Sequence, residues 1–130
     1  MNDPKRPQLA GLSVLVLEDH ALIALDLESM LLDLGAGQVT NANTTERALH
    51  LVATRKFDAA FLDVQLGEHT SIPAAVALRD KGVPFAITIG YDTATDIPAE
   101  FQTGPHIAKP YTAQDIADVW KLLVGADRGS

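Results

Sequence analysis

The amino-acid sequence predicts a single α/β domain: a doubly wound, five-stranded parallel sheet with helices on both faces. Three observations carry that expectation. Short apolar runs recur five times, stretches with helical spacing alternate with them, and Gly or Pro stands at most of the junctions. Parallel neighbours cannot be joined by a tight turn, so each connection is a crossover, and crossover helices cover the sheet on both sides.

The first run is Leu-Ser-Val-Leu-Val-Leu at 12–17, followed by Ile23, Leu27, Met30, Leu31 and Leu34 at helical spacing, with Gly35 as a helix stop. Gln38 to Ala42 reads as a short strand, polar enough to belong at a sheet edge, and Thr45 to Thr54 as a helix with Ala48, Leu49 and Val52 inward. Ala59 to Asp63 is the third strand, leading through a Gly67 loop into a helix from about Ser71 to Lys81 that Gly82 closes. Phe85 to Ile89 is the fourth strand. Between Asp92 and Thr103 the helical pattern is thin, with Pro98 inside it and only Ile97 and Phe101 to anchor a face, so an irregular, mobile helix is expected. His106 to Ala108 makes a brief fifth strand, and Ala113, Ile116, Ala117, Trp120, Leu123 and Val124 mark a closing helix that Gly125 ends. The expected organisation is an N-terminal extension at 1–11, one domain at 12–124 and a tail at 125–130.

Composition supports one core and narrows the partners. At 130 residues and 47% hydrophobic content the chain has apolar material for one compact domain. A net charge of −7 and the lack of any basic cluster larger than Lys5-Arg6 or Arg55-Lys56 argue against nucleic acid as a ligand, because phosphate backbones are bound by grouped cations. Zero Cys excludes a disulfide framework, an Fe–S cluster and a thiolate zinc site. The opening residues lack the apolar stretch of a secretory signal, and no run approaches the ~18 apolar residues of a membrane span. The cytoplasm is the expected location, with no membrane contact.

In the strand order 2-1-3-4-5, the first and third strands are neighbours, and the crevice at their carboxyl ends is where chemistry is expected. Glu18 and Asp19 follow the first strand and Asp63 ends the third, so three carboxylates meet there. Such a cluster needs a proton or a cation, and oxygen donors without Cys or a paired His suit Mg²⁺. Lys109-Pro110 follows the fifth strand on the same rim, supplying a point charge for phosphate. A carboxylate nucleophile, metal-binding acids and a lysine are what phosphoryl transfer to an aspartate requires.

At these residues the sequence resembles the receiver domain of two-component response regulators, a flavodoxin-like (βα)5 fold. The matching motifs are Val14-Leu-Val-Leu-Glu-Asp-His20, Phe57-Asp-Ala-Ala-Phe-Leu-Asp63 and Lys109-Pro110, and the likeness runs from about Leu12 to Val124. Pro84-Phe-Ala-Ile-Thr-Ile-Gly-Tyr91 further resembles a subgroup, often stand-alone receivers, with a Phe-Ala-Thr-Gly-x-Tyr-like fourth strand. The resemblance implies that Asp63 accepts a phosphoryl group, that Glu18, Asp19, Asp63 and the Gln65 carbonyl hold Mg²⁺, and that Lys109 contacts the phosphoryl oxygens. It also implies a cis Lys109–Pro110 bond, a histidine kinase or histidine phosphotransfer protein as donor, and an unidentified downstream protein as target. No output domain is expected after Val124, so the signal is expected to leave through a surface, the fourth helix, fifth strand and fifth helix, or by passing the phosphoryl group onward or dissipating it as a sink.

Two positions depart from the pattern. The family's hydroxyl residue precedes a small residue at the end of the fourth strand, where this chain has Ile89 before Gly90 and Thr88 one place earlier. Strand alternation then turns Thr88 away from the site, unless the register brings Thr88 itself to face Asp63. The family's switch aromatic, three residues before the lysine, is His106 here, and Tyr91 is the substitute that the subgroup motif suggests. These departures sustain a rival reading, a receiver-fold binding module that works without phosphorylation. An aspartate-nucleophile hydrolase is a weaker rival, because Asp63-Val-Gln65 lacks that class's second acid. The four His show neither i, i+4 spacing nor Cys companions, which disfavours zinc.

Overall fold

The computed structural model describes residues 11–66, 69–90 and 104–125. Its elements in chain order are β1 (Leu12–Leu17), α1 (Ala21–Asp33), β2 (Ala36–Ala42), α2 (Thr45–Thr54), β3 (Ala59–Asp63), β4 (Gln65–Leu66), β5 (His69–Thr70), α3 (Ile72–Asp80), β6 (Phe85–Ile89), β7 (His106–Ala108) and α4 (Ala113–Trp120), which continues as a wider π-type turn over Lys121–Gly125. Five parallel strands form one sheet in the order β2-β1-β3-β6-β7, the doubly wound order expected from the sequence.

Local chemistry sets the element ends. Thr44 caps α2 by accepting from the Arg47 N–H at 3.0 Å, and Thr112 and Asp115 cap α4 reciprocally at 3.1 and 2.9 Å. After α1 and α3 the chain reverses through Gly35 at φ 112° and Gly82 at φ 74°, a left-handed conformation that costs a residue with a Cβ more than it costs glycine.

Alternation along the strands divides the core into two layers. On one face Leu15, Leu17, Ala60, Leu62, Ile87 and Ile89 pack with Ala48, Leu51 and Val52 of α2 and Ala74, Ala75 and Leu78 of α3. On the other, Val14, Val16, Phe61, Ala86 and Ile107 pack with Leu27 and Leu31 of α1 and Ile116, Val119 and Trp120 of α4. Strand β2 carries most of its residues exposed or half-buried, which is why a polar sequence holds the edge.

The structure corrects several details. Leu51, not Leu49, joins Ala48 and Val52 on the buried stripe of α2, because its position three residues after Ala48 keeps it on the sheet side while Leu49 turns to a half-exposed flank. In α4, Val119 is buried where Ala117 is half-buried and Ala113 exposed. The connection after Asp63 is an antiparallel ladder, β4 with β5, where the sequence suggested a plain loop. Strand β2 starts at Ala36, two residues earlier than its polar sequence suggested. The expected irregular helix at Asp92 to Thr103 lies outside the described residues.

Candidate functional site

Register explains how four distant segments converge. Leu17 pairs with Leu62, Asp63 with Thr88, and Thr88 with Ile107. Val16, Phe61, Ala86 and Ile107 belong to the α1/α4 layer, so by alternation Asp63 and Thr88 turn to that side, with Glu18 and Lys109 one step past their strand ends. The row sits at the carboxyl edge of the sheet.

Glu18 and Asp63 are buried at 3% and 6% exposure, whereas Asp19 is exposed. One oxygen from each of Glu18, Asp19 and Asp63 lies within 4.8 Å of the others. The Lys109 ammonium joins the two buried acids, 3.0 Å from Asp63 Oδ2 and 3.1 Å from Glu18 Oε1. Glu18 Oε2 accepts from the His20 N–H at 3.0 Å, and the Ser71 hydroxyl donates to the Asp63 carbonyl at 2.6 Å. The latter bond fixes the main chain that carries Asp63, since a buried carbonyl at a strand end needs a partner. Lys109–Pro110 is cis.

Electrostatics follow from burial. Burial raises the Glu18 pKa, with the Asp63 charge adding to it, and these outweigh the His20 N–H and Lys109, which favour the carboxylate. For Lys109, burial opposes the charge, but hydrogen bonds and attraction from Asp63 and Glu18 outweigh it and hold the ammonium above its ordinary range. Tyr111 is pushed up to about 12 by burial, then by the charges of Glu18, Asp26 and Asp63. Its buried hydroxyl has no hydrogen-bond partner among the described residues, and together with Ile23, Asp26, Met30, Lys109 and Pro110 it lines a cavity of about 370 Å³ beside the acids.

The donor set fits a hard divalent cation. Three carboxylates against one ammonium leave two negative charges, and all the side-chain donors are oxygens. Glu18, Asp19, Asp63 and Lys109 are thus brought together as the sequence suggested, while the Gln65 backbone opens the β4–β5 ladder two residues past Asp63. Thr88 is 2% exposed and is the neighbour of Asp63 on its face, whereas Ile89 packs into the opposite layer. The expected orientation of these two residues is therefore reversed, because the pairing aligns Thr88 rather than Ile89 with the acid. His106 is exposed at the start of β7, paired with Ile87. Tyr91 lies outside the described residues. Sequence reasoning missed Ser71 and Tyr111; only Tyr111, adjoining the Lys-Pro pair, stood next to a readable motif.

No protein-family model matches the chain. It is 33% identical to SdrG from Sphingomonas melonis, covering 89% of this chain and 97% of that one, with a TM-score of 0.73. It is 30% identical to the phyllosphere-induced regulator PhyR of Methylorubrum extorquens over 82% of this chain and 41% of PhyR. The receiver domain of the sensor histidine kinase PA1611 from Pseudomonas aeruginosa, which has a magnesium ion coordinated in its active-site cleft, superposes at a TM-score of 0.77 over 90% of this chain and all of that one. At 20% identity that last likeness shows the fold alone. The chain spans about half the length of the curated relatives it matches, 58% and 41% of them.

Proposed function

Because this chain belongs to the receiver-domain family of two-component response regulators, we propose that it takes a phosphoryl group from a histidine kinase or histidine phosphotransfer protein onto Asp63 and signals by protein contact. The observation that carries this reading is Lys109 bridging the buried pair Glu18 and Asp63 at 3.1 and 3.0 Å. A buried carboxylate so held is oriented as a nucleophile must be, and the same ammonium is within reach of oxygens that arrive on it.

In the transfer, an Asp63 oxygen forms the new O–P bond as the donor's N–P bond breaks, and the departing imidazole takes up a proton from solvent. Mg²⁺, held by Glu18, Asp19, Asp63 and the Gln65 carbonyl, would neutralise charge on the equatorial oxygens. Lys109 turns from Glu18 toward a phosphoryl oxygen. Ser71 keeps the Asp63 main chain in place. Thr88, beside Asp63, offers a hydroxyl to the same group.

The phosphorylation-independent rival drew on Ile89 and His106; Ile89 is buried among apolar residues of the other layer, which weakens the first of these supports and leaves the second. The test is to mix the protein with acetyl phosphate and Mg²⁺ and weigh it intact. One added phosphoryl group is expected, and none on Asp63→Asn. Labelling of the variant at the same site would end the assignment.

A further inference from the structure

A second cavity lies far from the acids, at the amino edge of the sheet. It measures about 670 Å³ and runs between the ends of α2 and α3. Arg55, Lys56 and Lys81 line it, and Arg79 lines the cleft that adjoins it through Gly82, Val83 and Pro84. Those four are more than half of the seven Lys and Arg among the described residues, on a chain whose net charge is −7. The molecule therefore gathers buried acids at one end and cations at the other.

Ordinary helix-end chemistry accounts for part of this, since cations favour the carbonyl ends of helices, and Arg79 and Lys81 stand at the end of α3. Arg55 stands at a helix end too, as the C-cap residue of α2, but its side chain is directed elsewhere. Its guanidinium leaves α2, donates to Thr40 Oγ1 at 3.1 Å and lies 5.4 Å from the Phe57 ring centroid. It is thus held in the cavity wall. The acid in the lining, Asp58, is itself engaged, accepting the Ser13 N–H at 2.8 Å. Apolar surface accompanies the charge: Ala53 and Pro84 are exposed in the cavity, and Leu122 in the adjoining cleft is 64% exposed.

We propose that this cleft docks an acidic, leucine-bearing peptide segment of a partner protein, with carboxylates meeting the cationic rim and an apolar side chain lying on Pro84 and Leu122. Two features favour a peptide over a compact phosphate ligand. Both flanking helices present carbonyl ends, which repel a dense anion at the centre, whereas carboxylates spread along a segment can meet each cation at the rim. Phe57, under the Arg55 guanidinium, and Phe85 in the adjoining cleft are both buried, at 4% and 7% exposure, so neither presents a ring face for a nucleobase to stack on.

The experiment titrates the full-length, ¹⁵N-labelled chain with acetyl-Asp-Glu-Leu-Leu-Asp-Glu-amide. Expected are amide shifts centred on Arg55, Lys56, Lys81, Gly82 and Val83, weakened by salt, and about fivefold weaker binding to Lys81→Glu, as for an exposed charge pair. Lys56→Glu, at an exposed position that does not threaten folding, is expected to act likewise. Shifts elsewhere, equal binding by both reversal variants, or equal binding of a Lys-Leu peptide overturn the proposal. Shifts produced by inorganic phosphate alone, or by raising the protein concentration without peptide, also overturn it, in favour of an anion site or a second copy. Asp63→Asn is expected to bind the peptide unchanged, so failure here is separate from failure of the phosphoacceptor reading.

Discussion

Thr88 and Asp63 are register partners on adjacent parallel strands, side by side on the layer that faces α1 and α4. Ile89 points into the layer beneath α2 and α3. A hydroxyl beside the acid is placed to bond a phosphoryl oxygen, and a net hydrogen bond to a charged group contributes roughly 1.5–3 kcal/mol. Thr88→Val removes that bond with little change of shape. Labelling of Asp63 by acetyl phosphate, followed by intact mass, is expected to slow by about tenfold or more. Ile89→Thr is expected to label normally while losing about 1–3 kcal/mol of stability in urea, because it buries a hydroxyl among apolar side chains. A slower Ile89→Thr with a normal Thr88→Val would reverse the assignment.

A cation bound by few protein ligands is held weakly and senses each of them. Asp19 is the exposed member of the cluster, so its removal leaves the buried Glu18–Lys109–Asp63 arrangement standing while deleting a ligand. Titration of Mg²⁺ is expected to shift the amides of Glu18, Asp19 and Gln65 first, with the effect lost in Asp19→Ala. Equal shifts in that variant would place the ion elsewhere.

Much of the site was legible because it is written in backbone order. Acids after β1, an acid ending β3 and a lysine after β7 need only the strand order to converge, and that order follows from crossover geometry. The orientation of Thr88 was not legible in the same way. Alternation says that Thr88 and Ile89 oppose each other, but which of them faces Asp63 depends on how β3 and β6 slide against each other, and a one-residue slip exchanges them. Leu51 escaped for a related reason: Leu49 and Leu51 are equally apolar, and only packing against the sheet selects the stripe. Ser71 carries no local signal, since its value lies in a bond to a carbonyl eight residues earlier.

The reciprocal cap fixes the start of α4, whose Ile116, Val119 and Trp120 pack in the same core layer as Leu27 and Leu31 of α1. Thr112→Ala removes one side-chain acceptor at that helix start and is expected to cost about 1 kcal/mol in urea unfolding, with no change in Asp63 labelling. A loss well beyond ~2 kcal/mol would mean that Thr112 supports more than the cap.

Tyr111 gives a reading of the site's charge that needs neither metal nor phosphate. Its hydroxyl is buried, without a partner among the described residues, near Glu18, Asp26 and Asp63, and burial first, then those charges, pushes its pKa from the usual 10 up to about 12. The folded chain therefore keeps a proton that the unfolded chain releases from about pH 10 upward. A raised pKa of this kind adds stability that is fully present below the unfolded value and is lost as pH rises through the folded one. Between about pH 10 and 12 stability is thus expected to fall more steeply in the parent than in Tyr111→Phe. The comparison isolates the tyrosine, because Lys109, also raised, is present in both proteins. In a Tyr91→Phe background the phenolate absorbance reports Tyr111 alone, the chain having two tyrosines. Asp26→Asn and Asp63→Asn are each expected to bring the midpoint part of the way back toward 10, since burial remains as the largest cause. A midpoint near 10 in the parent, or complete reversion in either variant, would show that Tyr111 does not sit in the environment described.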